Sequence, residues 1–232
     1  MSVFSENFNI SEVFTFGSLK SSTKAHLSQV YQLLTGLIAS CAVGVYLNIA
    51  FGYGGSATGL MGLMCILYVS FTEEKSLGRL MALFGFGILE GMSLGKLVSL
   101  SLMIDPSIVV TSLLSTLAVL VSFSLAAIWS DRRHALYING LLGTAVSILF
   151  LISIMFLFGM RITLLFNINL YLGLLVFVGF VFVDTQLMIN RCENGQRTDT
   201  YKDAMNMFID AVGIFVRIMI ILMKKSKKDE RD

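Results

Sequence analysis

INLYLGLLVFVGFVFVDTQLMI, Ile168 to Ile189, decides the fold class. A helix needs about 20 predominantly apolar residues to cross the hydrocarbon core of a bilayer, and this stretch meets that length with one acid, Asp184, near its end. Working outward, the same reading applies to Val30–Phe51, Ala57–Phe71 (which is short), Leu80–Met103, Ile108–Trp129, Ala135–Phe158 and Met205–Met223. The sequence therefore predicts an all-α, polytopic integral membrane helical bundle. Six segments span, and Met205–Met223, which carries Asp210 and Arg217, is expected either to span or to re-enter. Residues 1–29 form a cytosolic N-terminal segment, 30–223 the transmembrane bundle and 224–232 a basic C-terminal tail.

Composition supports this division. Apolar residues make up 56% of the 232-residue chain and charged residues only 14%, too few to coat a soluble domain of this size. A net charge of +2 gives no electrostatic footprint for nucleic acid. Cys41, Cys65 and Cys192 are scattered and odd in number, which suggests neither a disulfide framework nor a structural zinc site. His26 and His134 sit alone in polar stretches and read as solvated loop residues. The N-terminus lacks a basic segment followed by an apolar core, so no cleavable signal peptide is expected and the first membrane helix targets the chain.

Lysine and arginine placement sets the orientation. Lys20 and Lys24 precede the first segment. Lys75, Arg79, Arg132, Arg133, Arg191, Arg197 and Lys202 lie in the loops after the second, fourth and sixth, and only Arg161 lies in the opposite loops. This places the N-terminus in the cytosol. The basic tail conflicts with it, because seven full spans would put the tail on the far side.

Ionisable groups inside membrane helices carry the chemical information, since each needs a partner or a cavity. Asp184 and Asp210 lie about six residues from the facing ends of successive segments, so a helical hairpin puts both about 9 Å below one surface. Facing carboxylates in a low dielectric cannot comfortably both ionise, and such a pair could share a proton, sense pH or bind a cation. Separate hydrogen bonds for each aspartate are an equally weighted reading. Glu90 is a possible second acid on a cation path, with packing against a polar neighbour at least as favoured. Arg217, two turns after Asp210, could snorkel or pair with an acid on another helix. Glu90 and Lys96 are six apart and do not face each other. Lys224, Lys225, Lys227 and Lys228 form a short basic cluster suited to lipid or an acidic partner, although a solvated terminus is the plainer reading. Gly85, Gly87, Gly91 and Gly95 fit close helix packing.

Several motifs together carry a resemblance: STKAHLSQVY (Ser22–Tyr31), GMSLG (Gly91–Gly95), Asp105-Pro106-Ser107-Ile108, Ser130-Asp131-Arg132-Arg133, NLYLGLLVFVGFVFVDTQ (Asn169–Gln186) and MFIDAVGIF (Met207–Phe215). Over nearly its whole length the chain resembles the Bax inhibitor-one branch of the transmembrane Bax-inhibitor-motif family. The resemblance implies an endoplasmic reticulum membrane protein that suppresses stress-induced cell death. It also implies that the aspartates at positions 184 and 210 form a pH-sensitive pair gating a calcium leak, with calcium as permeant or regulatory ion and no other cofactor. Bcl-2-type proteins are implied as partners, and the basic tail is implicated in protection. The chain departs from the family pattern at Lys96, where proline is frequent, and at Asn206, where an acid is common. The first change bears on the shape of the third helix, the second on the charge of the path.

The leading expectation is therefore a pH-sensitive calcium leak or regulator of stored calcium, and not an enzyme. An intramembrane aspartyl protease would need a Gly-x-Gly-Asp element, but Met207-Phe208-Ile209 precedes Asp210. The alternative is a membrane-anchored interaction protein that works through its tail without conducting ions.

Overall fold

A computed structural model describes residues 19–74, 76–130, 132–160 and 162–229. Lys75, Arg161 and the side chains of Arg132, Arg133, His134 and Lys228 lie outside the described residues. The described residues form seven α-helices and no strand: α1 (Ser21–Phe51), α2 (Ser56–Phe71), α3 (Leu77–Ile104), α4 (Ser107–Trp129), α5 (Arg132–Leu157), α6 (Thr163–Glu193) and α7 (Thr200–Asp229).

Local chemistry ends these helices where the sequence changes character. α1 stops at Gly52, whose positive φ of 72° suits a residue without a Cβ and lets its N–H close on the Asn48 carbonyl. Ser76 caps α3 by accepting from the Arg79 N–H at 3.2 Å. Between α3 and α4, the Asp105 carboxylate accepts from the Ser107 hydroxyl at 2.7 Å and its N–H at 2.8 Å. Those two bonds hold the Asp105 carboxyl below the usual carboxylate range.

α1 and α3 pack backbone to backbone. A methyl group at Gly91 would land on the Cys41 carbonyl, and one at Gly44 on the Ile88 carbonyl. Gly87 and Gly95 join this seam, whereas Gly85 faces open space and takes no part in it.

Six helices are long and apolar enough to cross a membrane, including α7 over Thr200–Lys227. The short element is α2, whose 16 residues extend about 24 Å against a core of about 30 Å. α7 is one continuous helix at the centre of the bundle, contacted by every other helix except α5. Ala204, Met205, Met207, Phe208, Ala211, Ile214 and Met219 on it are all buried. A helix walled in by protein need not be apolar all round, which explains why the segment carrying Asp210 and Arg217 sits at the centre.

The two ends of the bundle are separately tied. At one end Lys20 of the chain entering α1 donates to the Glu193 carbonyl at the end of α6. At the other, Lys224 near the end of α7 donates to Asn167 near the start of α6, and Ser101 of α3 bonds the Met223 sulfur. The start of α1 and the end of α7 therefore lie at opposite ends. A re-entrant last segment would have brought them together, and α7 is instead one continuous helix long and apolar enough to cross. α1 also begins nine residues before Val30, and α7 continues through the first residues of the basic tail.

Candidate functional site

α6 and α7 form the hairpin that carries both aspartates. Asp184 is nine residues before the end of α6, and Asp210 ten residues after the start of α7. At 1.5 Å per residue they lie about 14 Å and 15 Å below the connecting loop. The matching depth holds, and the distance to the helix ends exceeds about 9 Å because both helices run on past the apolar boundary into the polar loop.

Asp210 is only 5% exposed, and its Oδ2 is buried without a hydrogen-bond partner. Asp184, half-buried, is the charged group within electrostatic reach of it. Asp184 also feels Asp203 and Arg191 further along the hairpin. Its neighbours fix α6 in place: Gln186 donates to the Ser130 carbonyl at 2.8 Å and to the Ala127 carbonyl, clamping α6 to the end of α4, while Thr185 bonds back to the Val181 carbonyl.

The other predicted residues fall in distinct places. Asn206 lies half-buried one turn before Asp210. Glu90 is half-buried on α3, within electrostatic reach of Cys41 on α1, and has no ion pair among the described residues. Arg217 finds no acid among the described residues. Its guanidinium fills the notch left by Gly173, stacks 4.4 Å from the centre of the Phe177 ring and donates to the Gly213 carbonyl at 3.1 Å. Its Nε is buried without a partner. Lys96, Lys224, Lys225 and Lys227 are exposed.

One cluster was missed by the sequence reading. His26 is not a solvated loop residue: it is 7% exposed on α1, and its Nε2 lies 2.9 Å from the Asp203 carboxylate. The other oxygen of Asp203 accepts from Arg191 at 2.8 Å, so this one acid joins α1, α6 and α7. Beside it, the buried Arg79 donates twice to the Val69 carbonyl, at 3.0 and 2.7 Å, and pairs with Asp199. Asp199 in turn caps α7 through the N–H groups of Tyr201 and Lys202. Arg197 pairs with Glu73 at the surface. The available signal was spacing, since Asp203 precedes Asp210 by seven residues, two turns along one face.

This arrangement offers two carboxyl groups at one depth in the core, one of them unsatisfied, with separate charge pairs at the loop end of the same hairpin. Among the described residues no three His, Cys, Asp or Glu side chains group as a metal site would require.

Comparison with known proteins shows the family. Residues 23–227 match the protein family described as inhibitor of apoptosis-promoting Bax1. The chain is 38% identical to probable Bax inhibitor 1 of Paralichthys olivaceus and 36% to Bax inhibitor 1 of Rattus norvegicus, over the full length of both partners in each case. It is 35% identical to Bax inhibitor 1 of Arabidopsis thaliana, over 97% of this chain and 92% of that one. With a match spanning six apolar crossings and the hairpin that carries both aspartates, the chain belongs to the family of inhibitors of apoptosis-promoting Bax1.

Proposed function

We propose that this protein restrains apoptosis and stress-induced cell death from the endoplasmic reticulum membrane, as a pH-sensitive calcium leak or regulator of stored calcium. Family membership and relatives named Bax inhibitor 1 support the anti-apoptotic part. The single observation supporting the ionic part is Asp210, a nearly enclosed acid with an unpartnered oxygen, electrostatically coupled to Asp184. In the closed arrangement one of the two acids holds a proton. Losing that proton adds a second negative charge to a low-dielectric site, and either a divalent cation or a shift of α7 against α6 relieves the repulsion. Two carboxylates fall short of the six to eight oxygens of a resident calcium site, which suits an ion in transit. Asn206 and Glu90 are the polar groups along the path, and Arg217, lodged at Gly173, is the cation whose movement would accompany opening.

Calcium flux into liposomes holding the purified protein, scanned from about pH 6 to 8, tests this reading. Flux should vary with pH in the wild type and change in Asp210→Asn. Absence of flux above empty liposomes at every pH would sink it for the isolated protein.

The exposed Lys225 and Lys227 favour a second reading, in which the tail engages Bcl-2-type partners or anionic lipid and the bundle is an anchor. Deleting residues 224–232 separates the two: intact flux with lost cell protection supports the tail.

A further inference from the structure

α1 and α4 make almost no direct contact, and a cleft runs between them along the outside of the bundle. It consists of two hollows, of about 500 and 250 Å³, joined where both meet Ile38, Leu117 and Leu120. From Lys24 to Ile38 on α1 the larger hollow covers about 21 Å along the helix. Its outer rim on α4 is open, with Leu117 42% and Val121 58% exposed, so in a bilayer its surroundings are lipid.

Polar groups are concentrated towards one end, and in the smaller hollow the Thr116 hydroxyl is already spent on the Ser112 carbonyl. Lys24 is exposed, and its ammonium makes no hydrogen bond or ion pair with any described residue. Deeper along the wall the Tyr31 hydroxyl on α1 and the Ser124 hydroxyl on α4 are both buried without partners. A cation, then two unpaired donors, then an apolar trough is the order of chemistry in a phospholipid: phosphate, glycerol ester oxygens, acyl chain. Hollows of this volume, lined by apolar side chains and open to lipid, suit an acyl chain. A helix of a second copy, about 10 Å across, would overfill the trough and leave Lys24 unanswered.

We propose that the α1–α4 cleft binds one anionic phospholipid from the leaflet on the Lys24 side. Its phosphate rests on Lys24, its ester oxygens accept from Tyr31 and Ser124, and one acyl chain lies along Ile38, Leu117 and Leu120. Lys24 sets the headgroup preference, because a choline headgroup would bring a second cation to it. The inner wall of the cleft includes Phe208, Ala211 and Phe215 of α7, so the chain would pack beside the stretch bearing Asp210.

Native mass spectrometry of the full chain tests this, with phosphatidylglycerol and phosphatidylcholine of identical acyl chains as probes. The wild type should retain one phosphatidylglycerol several-fold better than phosphatidylcholine. Lys24→Gln should reduce that retention to the phosphatidylcholine level, Tyr31→Phe should weaken both lipids, and Leu117→Trp, which fills the trough from its exposed rim, should abolish both. Equal retention of the two lipids by the wild type, or retention unchanged in Lys24→Gln and Leu117→Trp, overturns the proposal. So does efficient crosslinking of Val121→Cys to a second copy, which would make the face an interface between chains.

Discussion

Asp203 and Asp210 are the same residue two turns apart on the same helix, and their surroundings are opposite. Asp203 has both oxygens engaged, by His26 and Arg191, and ties three helices at the end of the bundle. Asp210 is as buried and has an oxygen with no partner at all. Burial alone therefore does not identify a functional acid. A buried carboxylate with both oxygens engaged is a fastening, and one with an unanswered oxygen carries a burial cost that no described partner offsets.

The comparison makes its largest prediction at Asp203. Asp203→Ala leaves Arg191 and His26 facing each other without their shared acid, and should lower stability by about 3 kcal/mol, read by thermal unfolding in detergent. Next comes Arg79, which is 0% exposed. Arg79→Gln removes the donors to Val69 and the partner of Asp199, and should lower stability by about 2 kcal/mol in the same assay. Asp210→Asn should leave stability unchanged or raise it by up to about 1 kcal/mol, since a neutral amide is easier to bury than an acid with an orphan oxygen. A loss as large as that of Asp203→Ala would erase the distinction between the two sites.

The smallest effect is at Asp105, a partly exposed acid at the opposite end of the bundle. Ser107 bonds hold its carboxyl low. Any stability from those bonds is present above the ordinary carboxylate range and is lost as pH falls through the lowered value. Ser107→Gly should move the Asp105 carboxyl up towards that range, visible by carboxyl NMR titration, with little change in unfolding temperature. An unmoved titration would mean that these bonds do not set its proton affinity.

Much of this was legible in the chain itself. Seven apolar segments and their near boundaries follow from hydropathy, because a bilayer demands uninterrupted apolar length and satisfied backbone. The hairpin bearing Asp184 and Asp210 at equal depth follows from the helical rise alone. The glycine seam was legible in part: Gly87, Gly91 and Gly95 meet α1, while Gly85, in the same run, does not.

Other features needed the tertiary structure. His26 read as a loop residue because local polarity does not reveal an acid 177 positions away that buries it. Arg217 was open to pairing with an acid, and packing instead put it in the space at Gly173 against Phe177. The last segment looked too polar to cross with certainty, yet it is the central helix. Hydropathy measures what a segment costs in lipid, and α7 is surrounded mainly by protein. Sequence by itself determined that the chain lives in a membrane as helices and which acids lie at matching depth within it. Only the tertiary structure decided which of the chain's acids are answered, because a partner is a matter of distance in space and not of position along the chain.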